Sequence, residues 1–149
     1  MRRIRFTQEG LDRVKKEYAD LQESRDPAVK ELVRAREMGD LSENGLYHAA
    51  KSRLRSIDST LRRLSTQIKL AEVYTTPVGK IGIGSKVSVN QDNKDIEYQI
   101  VGDFEANPMQ NRISPNSPIG QALLGKKEGD NVEIFTPSGT KILKISKVQ

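Results

Sequence analysis

The sequence has no cysteine, no tryptophan and a single histidine among its 149 residues. The absence of cysteine excludes disulfides, thiolate zinc sites and cysteine nucleophiles, and it suits a reducing compartment. No apolar run approaches the roughly 20 residues that span a bilayer. The basic start MRRIRF is not followed by the hydrophobic segment that a secretory signal requires. We therefore expect a cytoplasmic protein that does not interact with a membrane.

Residues suited to catalysis are also scarce. One histidine, no cysteine and no serine in a Gly-x-Ser-x-Gly context leave no material for a hydrolytic triad or a zinc site within one subunit. The glycine-rich run GKIGIG lacks the Gly-Lys-Ser/Thr ending of a phosphate-binding loop and has no long helix behind it. The composition thus predicts that the chain is not an enzyme by itself and has no cofactor of its own.

The net charge of +5 is distributed unevenly along the chain. Residues 7–46 contain 7 basic and 10 acidic side chains, a net charge of −3, whereas residues 47–72 contain 6 and 2, a net charge of +4. Two interpretations stay open at this point. The two segments attract one another as solvated helix faces, or the basic segment presents a contact surface to nucleic acid.

Apolar residues recur at alternating spacings of three and four in two segments of the N-terminal half. The first run consists of Leu11, Val14, Tyr18, Leu21, Arg25, Ala28, Leu32 and Ala35. The second run consists of Tyr47, Ala50, Leu54, Ile57, Leu61, Leu64, Ile68 and Ala71. Two heptad runs joined by a short polar turn predict an antiparallel coiled-coil hairpin, with arms of about 25 to 30 residues, over residues 1–75.

Four residues refine this hairpin. Thr7 is suited to cap the first helix, and Pro27 is expected to kink or restart it near its middle. Arg25 is the one polar residue of the first run, and it indicates a locally opened seam. His48 directly follows the seam position Tyr47, so we expect it to flank the coiled coil structurally.

Residues 76–149 show a different pattern. The segments KVSVNQ and DIEYQIV alternate apolar and polar residues around DNK, and NVEIFT and TKILKISKV do so around PSG, which predicts two β-hairpins. Between them, SPIGQALLG begins with Ser117 as N-cap and Pro118 in the first turn, and Gly125 is suited to end a short helix. The chain is therefore predicted to have an α+β fold, in which a helical hairpin precedes a small antiparallel sheet covered by one helix.

The turn between the predicted arms, GDLSENGLYHAA, carries two carboxylates three residues apart, Asp40 and Glu43. In one interpretation they form a capping box, with Asp40 as the N-cap of the second helix. In the other, they act as ligands of a hard cation such as Mg²⁺, which takes about six oxygen ligands. Since two carboxylates are too few, the remaining ligands would come from a partner, and the chemistry would be completed in trans.

Several stretches of the sequence together resemble one family, the bacterial Gre transcript cleavage factors. They are the tip GDLSENGLYHAA with the preceding ARE, the heptad arms, and the later NSPIGQALLG with EGD, so the resemblance covers essentially the whole chain. It implies a C-terminal domain of the FKBP-like type, over residues 76–149, that docks at the rim of the RNA polymerase secondary channel. The helical hairpin would enter that channel and reach the active site of the polymerase.

The resemblance also implies roles for individual residues. The tip carboxylates Asp40 and Glu43 would help to hold a Mg²⁺ ion and its attacking water in the polymerase complex, and a backtracked transcript would then be cut by the polymerase. Ser117 and Pro118 would contact the polymerase. The basic side chains Lys51, Arg53 and Arg55 are expected to contact the extruded 3′ end of the nascent RNA through its phosphates. We expect the chain to act as a monomer.

The sequence departs from the common family pattern after the tip, where Gly45 and Leu46 replace alanine and an acidic residue. Glycine in a helix interior costs about 1 kcal/mol relative to alanine, so the second arm is expected to begin loosely. The segment YHAAK resembles the A-type factors, whereas KSRLRSIDSTLRRL resembles the more basic arm of the B-type. Two other functions remain open: a channel-binding inhibitor of RNA polymerase, and a coiled-coil adaptor with a merely capped tip.

Overall fold

The computed structural model describes residues 2–39 and 44–149, which form two compact units. One unit contains Asp12–Leu70, and the other contains Met1–Leu11 together with Ala71–Gln149. The prediction placed the first residues with the helical hairpin, whereas they belong to the C-terminal unit, where Arg5 and Thr7 donate hydrogen bonds to Asp103 and Glu105. Within the described residues, no helix is long and apolar enough to cross a membrane.

Two long helices form the helical hairpin, as predicted. Helix α1 spans Gln8–Arg36 and helix α2 spans Gly45–Leu70, with 29 and 26 residues. The helices are antiparallel, since bonds between them join ever later residues of α1 to ever earlier residues of α2. These bonds are Arg25 to Asp58, Glu31 to Arg53 and Ala35 to Asn44.

Helix α1 begins where the sequence predicts and continues past its proline. The Thr7 side chain accepts a hydrogen bond from the Gly10 amide at 3.0 Å, which confirms Thr7 as the N-cap. The helix restart predicted at Pro27 does not occur, because α1 is continuous through this residue. Packing of the next seam residue, Ala28, which is fully buried, offsets the missing backbone hydrogen bond of the proline.

The predicted seam is buried at some positions and half-buried at the others. Ala28, Ala35, Ala50, Ile57 and Leu64 are each at most 8% exposed. Arg25 is instead an exposed residue, and its guanidinium donates to the Asp58 carboxylate of the other helix at 2.7 Å. This hydrogen bond lowers the pKa of Asp58. Arg25 therefore bridges the two arms at the edge of the seam.

A pair of short parallel strands lies beside the ends of the helices and was not predicted. Strand β1, Ile4–Phe6, pairs with strand β2, Ala71–Val73. The assignment of Ala71 to the helical seam was therefore wrong, because α2 ends at Leu70 and the chain continues directly into β2. The Phe6 side chain of β1 is fully buried.

The larger sheet contains both predicted hairpins. It has five strands in the order β5-β4-β3-β7-β6, namely β3 (Lys86–Gln91), β4 (Lys94–Ile100), β5 (Arg112–Ile113), β6 (Asn131–Thr136) and β7 (Gly139–Val148). The predicted sheet was purely antiparallel, which is wrong for β5, a strand of two residues that pairs with β4 in parallel. So short a strand carries no periodicity from which it could be predicted.

Helix α3, Pro118–Leu123, covers one face of this sheet and confirms the predicted short helix. Leu123 lies in the core among the valines and isoleucines of the strands, and Ile119 packs against it. The C-cap of α3 is Leu124 and not the predicted Gly125, which follows one position later with a φ of +78°. The run GKIGIG is a turn that inserts Ile81 and Ile83 into the same core, which accounts for it structurally.

A polar network holds β1 against the loop that follows β4. Asp103 accepts hydrogen bonds from the Arg5 amide at 2.7 Å and from the Arg5 guanidinium at 2.8 Å. Arg5 also donates to the Asn116 side chain at 2.8 Å. Burial raises the pKa of Asp103, but the hydrogen bonds and the charge of Arg5 outweigh this effect, so that its pKa lies below the ordinary value of 3.8.

The Asp103 carboxylate is expected to make the stability of this unit dependent on acid pH. Because folding lowers its pKa, its contribution is present above pH 3.8 and is lost as the pH falls through the lower folded value. Asp103→Asn should therefore reduce the free energy of unfolding by about 1–2 kcal/mol at pH 7, and by less at pH 3. Urea unfolding at both values measures this, and a difference that is the same at pH 7 and pH 3 would contradict the assignment.

Candidate functional site

The candidate site lies at the end of the helical hairpin, where α1 stops and α2 begins. Helix α1 ends at Arg36, and Gly39 has a φ of +126°, a conformation that favours glycine. The two carboxylates singled out by the sequence, Asp40 and Glu43, lie outside the described residues. The structure describes the residues on both sides of them, at the end of α1 and at the start of α2.

Asn44 caps the second helix. Its side-chain oxygen accepts a hydrogen bond from the Tyr47 amide at 3.1 Å, and its carbonyl accepts from the His48 amide at 3.1 Å. The capping-box interpretation requires a helix that starts directly after Asp40, whereas α2 starts at Gly45. The cap of α2 is thus supplied without Asp40. The preference of asparagine for N-caps was the signal in the sequence that could have identified it.

The same side chain also joins the two arms. The Asn44 amide group donates to the carbonyl oxygen of Ala35, in the last turn of α1, at 2.7 Å. Carbonyls in the last turn of a helix have no partner within the helix, so this bond satisfies one of them. Asn44 therefore holds the end of α1 and the start of α2 in one fixed arrangement on either side of the tip.

Replacing Asn44 tests whether its hydrogen bonds to Ala35 and Tyr47 stabilise the hairpin. Asn44→Ala loses both bonds and should destabilise the hairpin by about 1–2 kcal/mol. Asn44→Asp keeps the acceptor for the Tyr47 amide but loses the donor to Ala35, so it should retain part of the stability. Thermal unfolding followed by helical circular dichroism measures both variants. Equal stability of the wild type and Asn44→Ala would show that these two hydrogen bonds do not contribute to the stability of the hairpin.

A groove of about 300 Å³ lies between the arms next to the tip. Its floor and walls are mainly apolar, and Met38 and Leu46 expose 64% and 63% of their surface. Arg34, Glu31 and Arg53 contribute its polar side chains, and Glu31 accepts a hydrogen bond from Arg53 at 2.7 Å. The sequence analysis did not identify this groove, because its residues come from two helices and belong to no motif.

The three predicted RNA-binding side chains do not form one cluster. Lys51 and Arg55 are four residues apart on α2, so they lie on the same face of the helix. Lys51 also lies over the ring of Tyr47, 5.9 Å from its centre. Arg53 instead reaches across to Glu31 of α1. All three side chains are exposed and near the same end of the hairpin.

The predicted polymerase-binding residues start helix α3 in the other unit. The Ser117 hydroxyl accepts a hydrogen bond from the Gly120 amide at 3.0 Å and donates to the Ser114 carbonyl at 2.7 Å. This confirms Ser117 as the N-cap, and it leaves the hydroxyl engaged within the fold. Pro118 is exposed beside it. Of the two predicted residues, Pro118 is therefore the one with an exposed side chain.

Metal-binding groups are limited in the described part of the chain. Across residues 2–39 and 44–149, no cluster of three histidine, aspartate or glutamate side chains is arranged to hold an ion. Asp40 and Glu43 lie between these ranges. As a pair of carboxylates they have the oxygen chemistry that Mg²⁺ prefers, but not the number of ligands that it needs.

Comparison with known proteins gives matches over nearly the whole chain. Residues 4–73 match the family model described as "Transcription elongation factor, N-terminal", and residues 76–149 match "Transcription elongation factor, GreA/GreB, C-term". Transcription elongation factor GreA of Nitratiruptor sp. is 43% identical over 139 residues, which are 90% of this chain and 85% of the relative. GreA of Vibrio cholerae is 37% identical over 155 residues, covering 100% and 99% of the two chains. Among solved structures, GreA factor homolog 1 (Gfh1) of Thermus thermophilus is 27% identical, with 99% of both chains covered and a TM-score of 0.47.

Proposed function

Because this chain belongs to the GreA/GreB family of transcription elongation factors, we propose that it stimulates transcript cleavage by bacterial RNA polymerase. The helical hairpin enters the secondary channel of the polymerase, and the tip reaches the active site, where a backtracked RNA 3′ end is exposed. The polymerase performs the hydrolysis, and the chain acts as a monomeric, cytoplasmic activator of it.

The tip carboxylates contribute the chemistry in this proposal. Asp40 and Glu43 supply oxygen ligands in trans, and the polymerase and the RNA supply the others that a hard cation requires. The Mg²⁺ ion that they help to hold would activate the attacking water, while a separate metal ion of the polymerase would stabilise the leaving oxygen of the cut phosphodiester. Both side chains thus act within a site that neither protein completes alone.

The observation that carries this proposal is the cap supplied by Asn44. A helix start needs an acceptor for its free amides, and that need was the structural explanation for a carboxylate at position 40. Since Asn44 accepts from the Tyr47 amide, the start of α2 has its acceptor without Asp40. A role outside the chain is then the better explanation for two acidic residues at the tip.

The basic side chains and the second unit support the same arrangement. Lys51, Arg53 and Arg55 are exposed near the tip end of the hairpin, where they would meet the phosphates of the extruded RNA. In the other unit, Ser117 fixes the turn that presents Pro118 to solvent. We assign this turn to docking on the polymerase, with Pro118 as the contact.

The test uses purified bacterial RNA polymerase halted in a backtracked complex with labelled RNA. The wild type should accelerate release of the 3′ fragment in the presence of Mg²⁺. Asp40→Asn and Glu43→Gln keep the size of each side chain but remove its charge, so cleavage should fall to the rate of the polymerase alone. Binding of each variant to the polymerase is measured in parallel by competition with a fluorescently labelled wild type.

Each outcome has a distinct meaning. Loss of cleavage with unchanged binding supports carboxylates donated in trans. Wild-type binding without acceleration would instead indicate a channel-blocking inhibitor. Absence of binding would leave the hairpin as an adaptor for another partner. Pro118→Asp provides the control for docking, because it should weaken binding while leaving the tip sequence intact.

A further inference from the structure

The groove beside the tip combines an apolar lining with arginine side chains. Ala35, Met38, Leu46, Ala49 and Ala50 line it with carbon atoms from both arms. Monomeric proteins bury most large apolar side chains, so the pairing of exposed Met38 and Leu46 in one concave surface indicates a binding site. Its volume of about 300 Å³ is at the lower end of the range for small-molecule pockets.

The described side chains that line the groove carry a net charge of +1, from Arg34 and Arg53 against Glu31. Glu31 is paired with Arg53 at 2.7 Å. The helix that supplies Leu46 continues into the basic segment of residues 47–72. This charge favours an anionic ligand over a cationic or neutral one, and an arginine side chain can also stack on a flat ring.

We propose that this groove binds the base of the first extruded nucleotide of the backtracked RNA, on the 3′ side of the cut. The inference rests on the proposed function. In that proposal Lys51, Arg53 and Arg55 contact the phosphates of the RNA, and the groove adds a contact for one base. The placement follows from the chain, since Met38 precedes Asp40 by two residues and Leu46 follows Glu43 by three. A base held between apolar side chains would position the adjoining phosphodiester next to the two carboxylates.

The observations favour RNA over a protein segment as the occupant. An apolar side chain of the polymerase would satisfy Met38 and Leu46, but it would not use the arginines at the edge. A nucleotide uses both, because its base is flat and weakly polar on its faces while its phosphate carries the charge. The described lining residues form no ring of donors and acceptors around the edge of one particular base, so all four bases are expected to bind.

The test removes the base rather than the protein side chain. Backtracked complexes are assembled with an RNA whose first extruded nucleotide is either normal or abasic. Stimulation is the initial cleavage rate with the chain divided by the rate of the polymerase alone on the same RNA. For the wild type, the abasic RNA should reduce stimulation roughly five- to tenfold, the size expected when one stacked base is lost.

Substitutions then locate the contact. Leu46→Ser should reduce stimulation on normal RNA to a similar extent, and the abasic RNA should cause no further loss with this variant. Val33→Ser is the matched control, because Val33 is a half-exposed residue of α1 that does not line the groove. It should keep the full dependence on the base. A 4-thiouracil at the extruded position should also photocrosslink to peptides that contain Met38 or Leu46.

Two results overturn the inference and leave the proposed function intact. One is equal stimulation of normal and abasic RNA by the wild type. The other is a loss with Leu46→Ser that is independent of the base, which would assign the groove to an apolar part of the polymerase. A wild type that stimulates neither RNA would overturn the proposed function, and this inference with it.

Discussion

Gly102→Ala is expected to destabilise the C-terminal unit by about 3 kcal/mol, the upper end of the usual cost of overpacking. A methyl group at this position would overlap the carbonyl oxygen of Arg5 and the carboxylate of Glu105, and it would lie 2.9 Å from the Cα atom of Phe6. Two of these neighbours are backbone atoms of strand β1. They cannot turn aside as a flexible side chain can.

The backbone of β1 is held from both sides, which is why it cannot yield. The Arg5 carbonyl accepts a hydrogen bond from the Asp103 amide at 3.0 Å, and the Phe6 carbonyl accepts from the Tyr74 amide at 2.9 Å. Relief of the overlap would require β1 to move away and break such bonds. Faster hydrogen exchange of the Tyr74 amide should therefore accompany the loss of stability.

Gly45→Ala is the matched control for this prediction. Among the described residues, apart from its chain neighbours and the adjoining helix backbone, none comes within 4 Å of a methyl group at position 45, and this glycine is the first residue of α2. The second arm was expected to begin loosely because glycine is unfavourable in a helix interior. Gly45 lies at the start of α2 and not in its interior, so this reason no longer applies. Gly45→Ala should leave urea unfolding of the C-terminal unit unchanged. If Gly102→Ala also left the free energy of unfolding unchanged, the close approach of the loop to β1 would be refuted.

Glu105→Ala is expected to have the second large effect, a loss of about 3 kcal/mol. The Glu105 carboxylate is buried, and it accepts hydrogen bonds from the Thr7 amide at 2.8 Å, the Gly102 amide at 3.0 Å and the Thr7 hydroxyl. Alanine would leave three donors without their acceptor. Unsatisfied buried donors cost about 1–3 kcal/mol each, and partial access of water offsets some of this sum.

Glu105→Gln distinguishes lost hydrogen bonds from lost volume. Glutamine has nearly the shape of glutamate but only one acceptor oxygen, so it should restore part of the stability. Gly10 provides a second check, because a methyl group there would overlap the same carboxylate. Gly10→Ala should be destabilising in the wild type and much less so in the Glu105→Ala background, as urea unfolding of the double mutant can measure. Strictly additive effects would contradict a shared contact.

The features that the sequence analysis identified correctly are those that produce a pattern among residues close together in the sequence. The heptad spacing predicted both arms, and the alternation of apolar and polar residues predicted both hairpins of the large sheet. Ser117 and Thr7 were recognisable as caps because side-chain oxygens of this kind accept from helix-start amides. Each of these patterns lies within about ten residues or repeats regularly.

The features that were missed depend on contacts distant in sequence or on very short elements. Strands β1 and β5 contain three and two residues, too few to show a period. Pro27 was expected to kink or restart α1, and the restart does not occur, because tertiary packing of the seam outweighs the local preference. The groove at Met38 and Leu46 depends on the pairing of two helices, which the residue pattern alone could not place in register.

The pairing of β1 with β2 also bears on the order in which the chain folds. Its partners Ile4 and Ala71 are 67 positions apart, so forming this pair first would close a long, disordered loop. Closure entropy rises with loop length, whereas helices form from local contacts on a faster timescale. Once α1 and α2 have paired, the intervening chain is already folded back on itself and most of that entropic cost has been met. The N-terminal strand is therefore expected to dock late, after the helical hairpin has formed.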